Sequence, residues 1–208
     1  MFAAVTDLKT PYDDLLVRAS NGDRTAFRRL YDEFSGYAYS ILRRQLGDSP
    51  HVDDLLQQVF VKVYRELPEF RGEKPFRAWL RRACFFVLYD HLRRSKRHAA
   101  ISLDQMESPE ELVASRSVDA TSEPTPEGAF LRAEIRKHTR RILEKLTPEK
   151  QMALVMHDFE GHTLDEAAEI LGCSRFTVRT RLVRARKEFA QLARKDRRMA
   201  QLFRECGA

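Results

Sequence analysis

The stretch Thr163–Phe189, TLDEAAEILGCSRFTVRTRLVRARKEF, reads as two short helices joined by a tight turn. Thr163 followed by Glu166 forms a capping box, which predicts a helix start at Thr163. Ala168 leaves room for a close helix crossing, and Gly172 permits a turn that a side chain would obstruct. Ser174 can cap the second helix, which runs on without Gly or Pro. Val178, Leu182, Ala185 and Phe189 recur at helical spacing and form one apolar seam. Arg175, Arg179 and Arg186 flank the seam on one side and Arg181 and Arg184 on the other, while Thr180, Val183 and Lys187 point away from it. Such a helix suits the major groove, with its seam on the domain, its shoulders on phosphates and its outer face on base edges. A solvated amphipathic helix would also carry a charged face. The capping box, small residue, glycine and seam in one register favour DNA binding.

Just upstream, a helix is predicted from about Phe130 to Leu146. Thr147 as a cap and Pro148 at the first helical position then open another through Phe159, which Gly161 ends. Further back the composition changes. Between Ile101 and Glu127 there are seven acidic residues against Arg116 alone, a net charge of −6, with Pro109, Pro124 and Pro126 interrupting. Such a stretch buries too little apolar surface to fold alone, so it reads as a flexible acidic tether with room for one helical turn near Glu110–Ala114. Without it, the chain's net charge of +6 becomes about +12 on the folded parts.

From Tyr12 to Arg97 the pattern is helical almost throughout. Leu15, Leu16 and Ala19 predict a short helix stopped at Asn21-Gly22. Asp23 can cap a second, carrying Phe27, Leu30, Tyr31, Phe34, Tyr37, Ala38, Ile41 and Leu42 and broken at Gly47 to Pro50. A third runs from Val52 to about Leu67 with Val52, Leu56, Val59 and Val63 on one face, and Asp53, Asp54, Gln57, Gln58 and Val61 on another. The loop from Pro68 to Pro75 leads to a fourth near Phe76, basic at its far end with Arg93, Arg94, Lys96 and Arg97. No stretch sustains an alternation of period two. The expected fold is all-α: two small helical domains joined by the acidic linker.

The chain has 208 residues, 43% hydrophobic and 33% charged, enough for a real core in one or two small domains. Cys84, Cys173 and Cys206 stand singly, without a CxxC pair, and are expected to be reduced thiols. The start MFAAVTDLKTPYDD has no basic and apolar leader pattern, and no apolar run approaches a membrane span, so a cytoplasmic protein is expected.

Two stretches resemble a known family. Asp53–Tyr64, DDLLQQVFVKVY, resembles the second conserved region of bacterial RNA polymerase sigma factors. Leu67–Arg94, LPEFRGEKPFRAWLRRACFFVLYDHLRR, is similar to the promoter-melting segment of their extracytoplasmic-function (ECF) branch. From Leu146, LTPEKQMALVMHDFEGHTLDEAAEILGCSRFTVRTRLVRARKEF is similar to that branch's fourth region. The resemblance implies an alternative sigma factor with a region 2 helical bundle over 12–98, an acidic linker over 99–127 and a region 4 helix-turn-helix over 128–198. Its implied partners are core RNA polymerase, promoter DNA and an anti-sigma factor, with no cofactor and no membrane insertion of its own.

The resemblance also implies roles. Asp53, Asp54, Gln57, Gln58 and Val61 would meet the polymerase clamp helices, although a solvated face is an equal reading. Phe70, Arg71, Lys74, Phe76, Arg77 and Trp79 would hold a base flipped from the minus-ten strand, where aromatic rings stack and cations neutralise single-stranded DNA. Core packing is as good a reading for Phe76 and Trp79. Arg175, Phe176, Arg179, Thr180, Val183, Arg184 and Arg186 would contact the minus-thirty-five element. Arg179, Thr180 and Val183 fall on the family's base-reading positions, whereas Arg184 and Arg186, on the shoulders of the seam, are expected to hold phosphates. The chain departs from the pattern at Phe85-Phe86, where Arg-Asn is common, and at Phe176, where a glycine is usual.

Two rival readings remain. His157, Asp158, Glu160 and His162 could ligate zinc, but Gly161 breaks the helix between the histidines, so they need not share a face. No phosphate loop, nucleophile elbow or paired catalytic carboxylates occur, so an enzyme is not expected. A stand-alone helix-turn-helix regulator, with the first domain for dimerisation, is the other alternative.

Overall fold

The computed structural model describes residues 12–72, 75–102, 126–199 and 201, so Lys74, Cys206 and the helical turn expected near Glu110–Ala114 lie outside them. Most of those residues are helical, with no strand among them. The chain divides into two compact units, Met1–Asp90 and His91–Ala208, with the division inside the fourth helix.

In the first unit, α1 (Asp13–Ser20) turns at Gly22 into α2 (Arg24–Leu46). The Asp23 carboxylate accepts hydrogen bonds from the Thr25 and Ala26 amides, satisfying donors that a helix start leaves open. Ala26, Leu30, Phe34, Ala38, Ile41 and Leu42 lie buried along one side of α2, at the spacing read from the sequence. Gly47 adopts φ +70° and ends the helix. In α3 (Val52–Glu66) the apolar face of Val52, Leu55, Leu56, Val59, Phe60 and Val63 is buried, and a 3₁₀ turn over Leu67–Glu69 leads out of it. α4 (Phe76–Ser102) buries Leu80, Ala83, Cys84, Phe85, Val87 and Leu88.

The second unit contains α5 (Pro126–Lys145), which starts four residues before the expected Phe130. Proline lacks an N–H that the first helical turn would leave unpaired anyway, so Pro126 opens this helix rather than interrupting it. α6 (Pro148–Leu154) has Thr147 in extended conformation before it, but no hydrogen bond from the Thr147 side chain caps it. The α-helix expected through Phe159 stops at Leu154 and continues as a π-type turn, Val155–Phe159. The wider winding ends with the Glu160 amide donating to the Val155 carbonyl at 3.0 Å and the His162 amide to that of Met156 at 2.8 Å. α7 (Leu164–Leu171) and α8 (Arg175–Lys195) follow, with α6 and α7 both packed on α8.

Candidate nucleic-acid interface

Local chemistry sets the turn between α7 and α8. The Thr163 hydroxyl accepts from the Glu166 amide at 3.2 Å, and the Glu166 carboxylate accepts from the Thr163 amide at 3.0 Å, completing the expected capping box. Gly172 sits in the left-handed region at φ +59°, where a β-carbon would be strained. The Ser174 hydroxyl then accepts from the Thr177 amide at 3.1 Å and starts α8. Val178, Leu182 and Ala185 are buried, and Phe189 packs against a cluster of Ile142, Ala193 and Met199. The seam therefore holds α8 to its own unit, and its opposite face is turned to solvent.

The arginines of α8 differ in what they touch. Arg186 binds Asp158 through two hydrogen bonds, Nη2 to Oδ1 at 2.6 Å and Nε to Oδ2 at 2.8 Å. The π-type turn brings Asp158 there, 28 positions earlier in the chain, a pairing that helical spacing cannot reveal. The Arg181 guanidinium donates to the Cys173 thiol at 3.3 Å, and Arg175 lies 3.4 Å from Asp165 in an exposed pair. Among the described residues, Arg179 and Arg184 have no ion-pair partner. Phosphate contact, expected of Arg184 and Arg186 alike, suits the two differently: Arg184 is uncommitted, whereas Arg186 already braces α8 against the preceding turn.

That brace is pH-dependent. The Arg186 guanidinium hydrogen-bonded to Asp158 holds its carboxyl below the ordinary aspartate range against partial burial, and His157 adds to the effect. A depressed carboxylate contributes stability that is present above its unfolded pKa, about 3.9, and lost as pH falls through the folded value. Because Arg186 is half exposed, the contribution is expected to be no more than about 1 kcal/mol. Thermal melts of wild type and Asp158→Asn at pH 5 and pH 3 check this: the gap between the two proteins should close at the lower pH.

Two other residues of the rival zinc reading lie beside carboxylates. His157 Nδ1 lies 2.8 Å from Asp158, and buried His162 lies 3.6 Å from Glu166. Among the described residues no group of three or more His, Cys, Asp or Glu is arranged to hold a metal ion.

In the first unit, Phe70, Phe76 and Trp79 form one aromatic cluster with ring centroids 5.2–5.9 Å apart. Phe76, expected among the DNA-contacting side chains, is only 7% exposed and packs edge-on against Phe34 at 4.9 Å. The Phe76 ring thus packs in the core at the start of α4, beside Phe70 and Trp79, which are half-buried. Arg71 is exposed beside Gly72, and the Arg77 guanidinium lies 4.6 Å from the Tyr37 ring centroid. Phe85 and Phe86 part company: Phe85 is fully buried, whereas Phe86 is 43% exposed with the Lys62 ammonium 4.0 Å from its ring centroid. On α3, Asp53, Asp54, Gln57, Gln58 and Val61 are all exposed on the side away from the buried face.

Comparison with known proteins places these elements. The family model described as Sigma-70 region 2 matches residues 30–98, and that described as Sigma-70, region 4 matches residues 139–189. The RNA polymerase sigma-H factor of Pseudomonas aeruginosa is 29% identical over 191 residues, covering 92% of this chain and 95% of its own. The ECF RNA polymerase sigma-E factor of Escherichia coli K12 is 31% identical over 179 residues, covering 84% and 91% respectively. Among solved structures, CnrH in complex with the cytosolic domain of CnrY is similar with a TM-score of 0.52 at 25% identity, over 88% of this chain and 97% of that one. The Bartonella quintana sigma factor RpoE, solved with the anti-sigma factor NepR, shares the fold with a TM-score of 0.52 at 20% identity, over 82% of this chain and 98% of its own. Carrying both sigma regions in order, and related over most of its length to these factors, the chain belongs to the extracytoplasmic-function branch of the bacterial RNA polymerase sigma factors.

Proposed function

We propose that this sigma factor divides its work among three surfaces: the exposed face of α3 for core polymerase, the aromatic loop before α4 for the minus-ten element, and the outer face of α8 for the minus-thirty-five element. As a sigma factor the chain binds core RNA polymerase and promoter DNA and directs transcription initiation, and its family is not a class of catalytic enzymes. A stand-alone regulator would have no use for a region 2. The observation that carries the assignment is the polarity of α8, whose seam is buried while Arg179, Val183 and Phe176 face solvent. We assign residues 12–98 to region 2, 128–198 to region 4 and the acidic stretch between them to the linker. Asp53, Asp54, Gln57, Gln58 and Val61 meet polymerase; Phe70, Arg71, Lys74, Arg77 and Trp79 hold unwound DNA, with Phe76 behind them.

No described helix is long and apolar enough to cross a membrane. A cytoplasmic site of action, where polymerase and chromosome are, fits this reading. CnrH and the Bartonella factor were each solved with a bound protein, and a comparable anti-sigma partner is proposed here.

Run-off transcription with purified core polymerase on a randomised promoter library tests the whole reading. Enrichment of paired upstream and minus-ten motifs is the expected result, and transcripts without any enriched motif would reject it. For the α3 surface, replacing Asp54 and Gln57 together with Ala is expected to weaken core binding about tenfold or more while leaving the melting temperature nearly unchanged, because both side chains are solvent-exposed. Loss of folding in that variant would show that the two residues are structural.

A further inference from the structure

The outer face of α8 is apolar over its first turns. Phe176 is 78% exposed and Val183 59% exposed. Thr180 lies between them, and its hydroxyl donates to the Phe176 carbonyl at 3.0 Å. The hydroxyl is thereby used within the helix, and the methyl is the group left for a ligand. At 100° per residue these three side chains fall within about 60° of one another around the helix. Exposed apolar residues scattered singly need no explanation. These form one stripe, bounded by Arg179 and Arg184, neither of which has an ion-pair partner among the described residues.

A face of this kind has one complement in the major groove. Adenine, guanine and cytosine edges present donors and acceptors that Phe, Val and an internally bonded Thr cannot answer. Thymine presents a methyl group. We infer that Phe176, Thr180 and Val183 select thymine methyl groups in the upstream promoter element, with Arg179 supplying hydrogen-bonded readout beside them. Seven residues of helix span about 10 Å, which matches about three base-pair steps of about 3.4 Å. The selected thymines therefore lie within about four consecutive base pairs. This rests on α8 being the promoter-reading helix, as proposed above.

The test removes single methyl groups from the DNA. A promoter selected with wild-type holoenzyme is resynthesised with each upstream thymine replaced in turn by deoxyuridine, and a separate promoter carries a scrambled upstream element. Binding of holoenzymes containing wild type, Phe176→Ala and Thr180→Ser is measured on each. Wild type is expected to lose about fourfold at one to three clustered positions, the equivalent of one buried methyl group each. Phe176→Ala should bind thymine and deoxyuridine promoters equally at one of those positions. Thr180→Ser, which keeps the hydroxyl bond and drops only the methyl, should do so at another. Both substitutions lie on the solvent side, and equal melting temperatures confirm that folding is intact. Wild-type indifference to deoxyuridine, or a Phe176→Ala loss that is the same on both bases, overturns the inference. If scrambling the upstream element leaves wild-type binding unchanged, the assignment of α8 itself falls.

Discussion

Phe85→Ala is expected to destabilise the first unit by about 3–5 kcal/mol, against about 1–2 kcal/mol for Phe86→Ala. The two side chains are chemically identical and adjacent, so the contrast isolates burial. Phe85 has no solvent-exposed surface and sits among the fully buried residues of the core. Deleting its ring removes the transfer free energy of the aromatic group and leaves a cavity that close-packed neighbours fill only in part. Phe86 is 43% exposed and lies against the Lys62 ammonium, itself also paired with Glu66. Its loss removes a cation–π contact and the buried part of the ring, but leaves no enclosed cavity because the site is open to solvent. The chain's single tryptophan, Trp79, belongs to the first unit, so its fluorescence during urea titration follows that unit directly. A large downward shift in midpoint for Phe85→Ala and a small one for Phe86→Ala is the expected outcome. Equal shifts would show that the ring at Phe86 is also part of the core.

The second large effect concerns promoter choice. Arg179→Ala should cost about 1–3 kcal/mol on the preferred promoter and flatten discrimination at one or two base positions. Arg179 is exposed, has no ion-pair partner among the described residues, and lies on the shoulder between the seam and the outer face. Its guanidinium is therefore free to take both acceptors of a guanine, and a bidentate contact of that kind carries sequence information. Arg186→Ala is expected to behave otherwise. Arg186 is bound in two places to Asp158, so its removal should leave promoter preference unchanged and lower the melting temperature of the second unit slightly. Arg184, uncommitted on the far shoulder, is the proposed phosphate contact: Arg184→Ala should weaken all promoters similarly and reduce the salt slope by about one. Holoenzyme binding to single-base promoter variants at two salt concentrations separates the three. A uniform loss for Arg179→Ala, with the wild-type preference profile retained, would move it into the phosphate class.

The elements whose meaning is local were legible in the chain alone. The Thr163–Glu166 capping box, the Asp23 and Ser174 caps and the left-handed turn at Gly172 each depend on residues within four positions of one another, and all four are present. The apolar faces of α2, α3 and α8 follow from helical period, because a side chain's side of a helix is set by counting. That period also placed Arg175, Arg179 and Arg186 on one shoulder of α8. It could not tell which of them was already taken. Arg186 meets Asp158 from a π-type turn that stands where the last turn of an α-helix was expected, and local propensity carries no term for an ion pair 28 residues away. Phe76 is similar: a phenylalanine beside a basic loop can stack on a base or fill a core, and only the structure shows its ring packed against Phe34 on another helix. The doublet Phe85-Phe86 shows the limit most directly. Composition and period make both residues apolar helix positions, and only the packing of neighbouring helices buries one ring and leaves the other to Lys62 and solvent. Helix starts, ends and faces are short-range properties of a sequence, whereas the burial and pairing of a given side chain depend on what a distant segment brings against it.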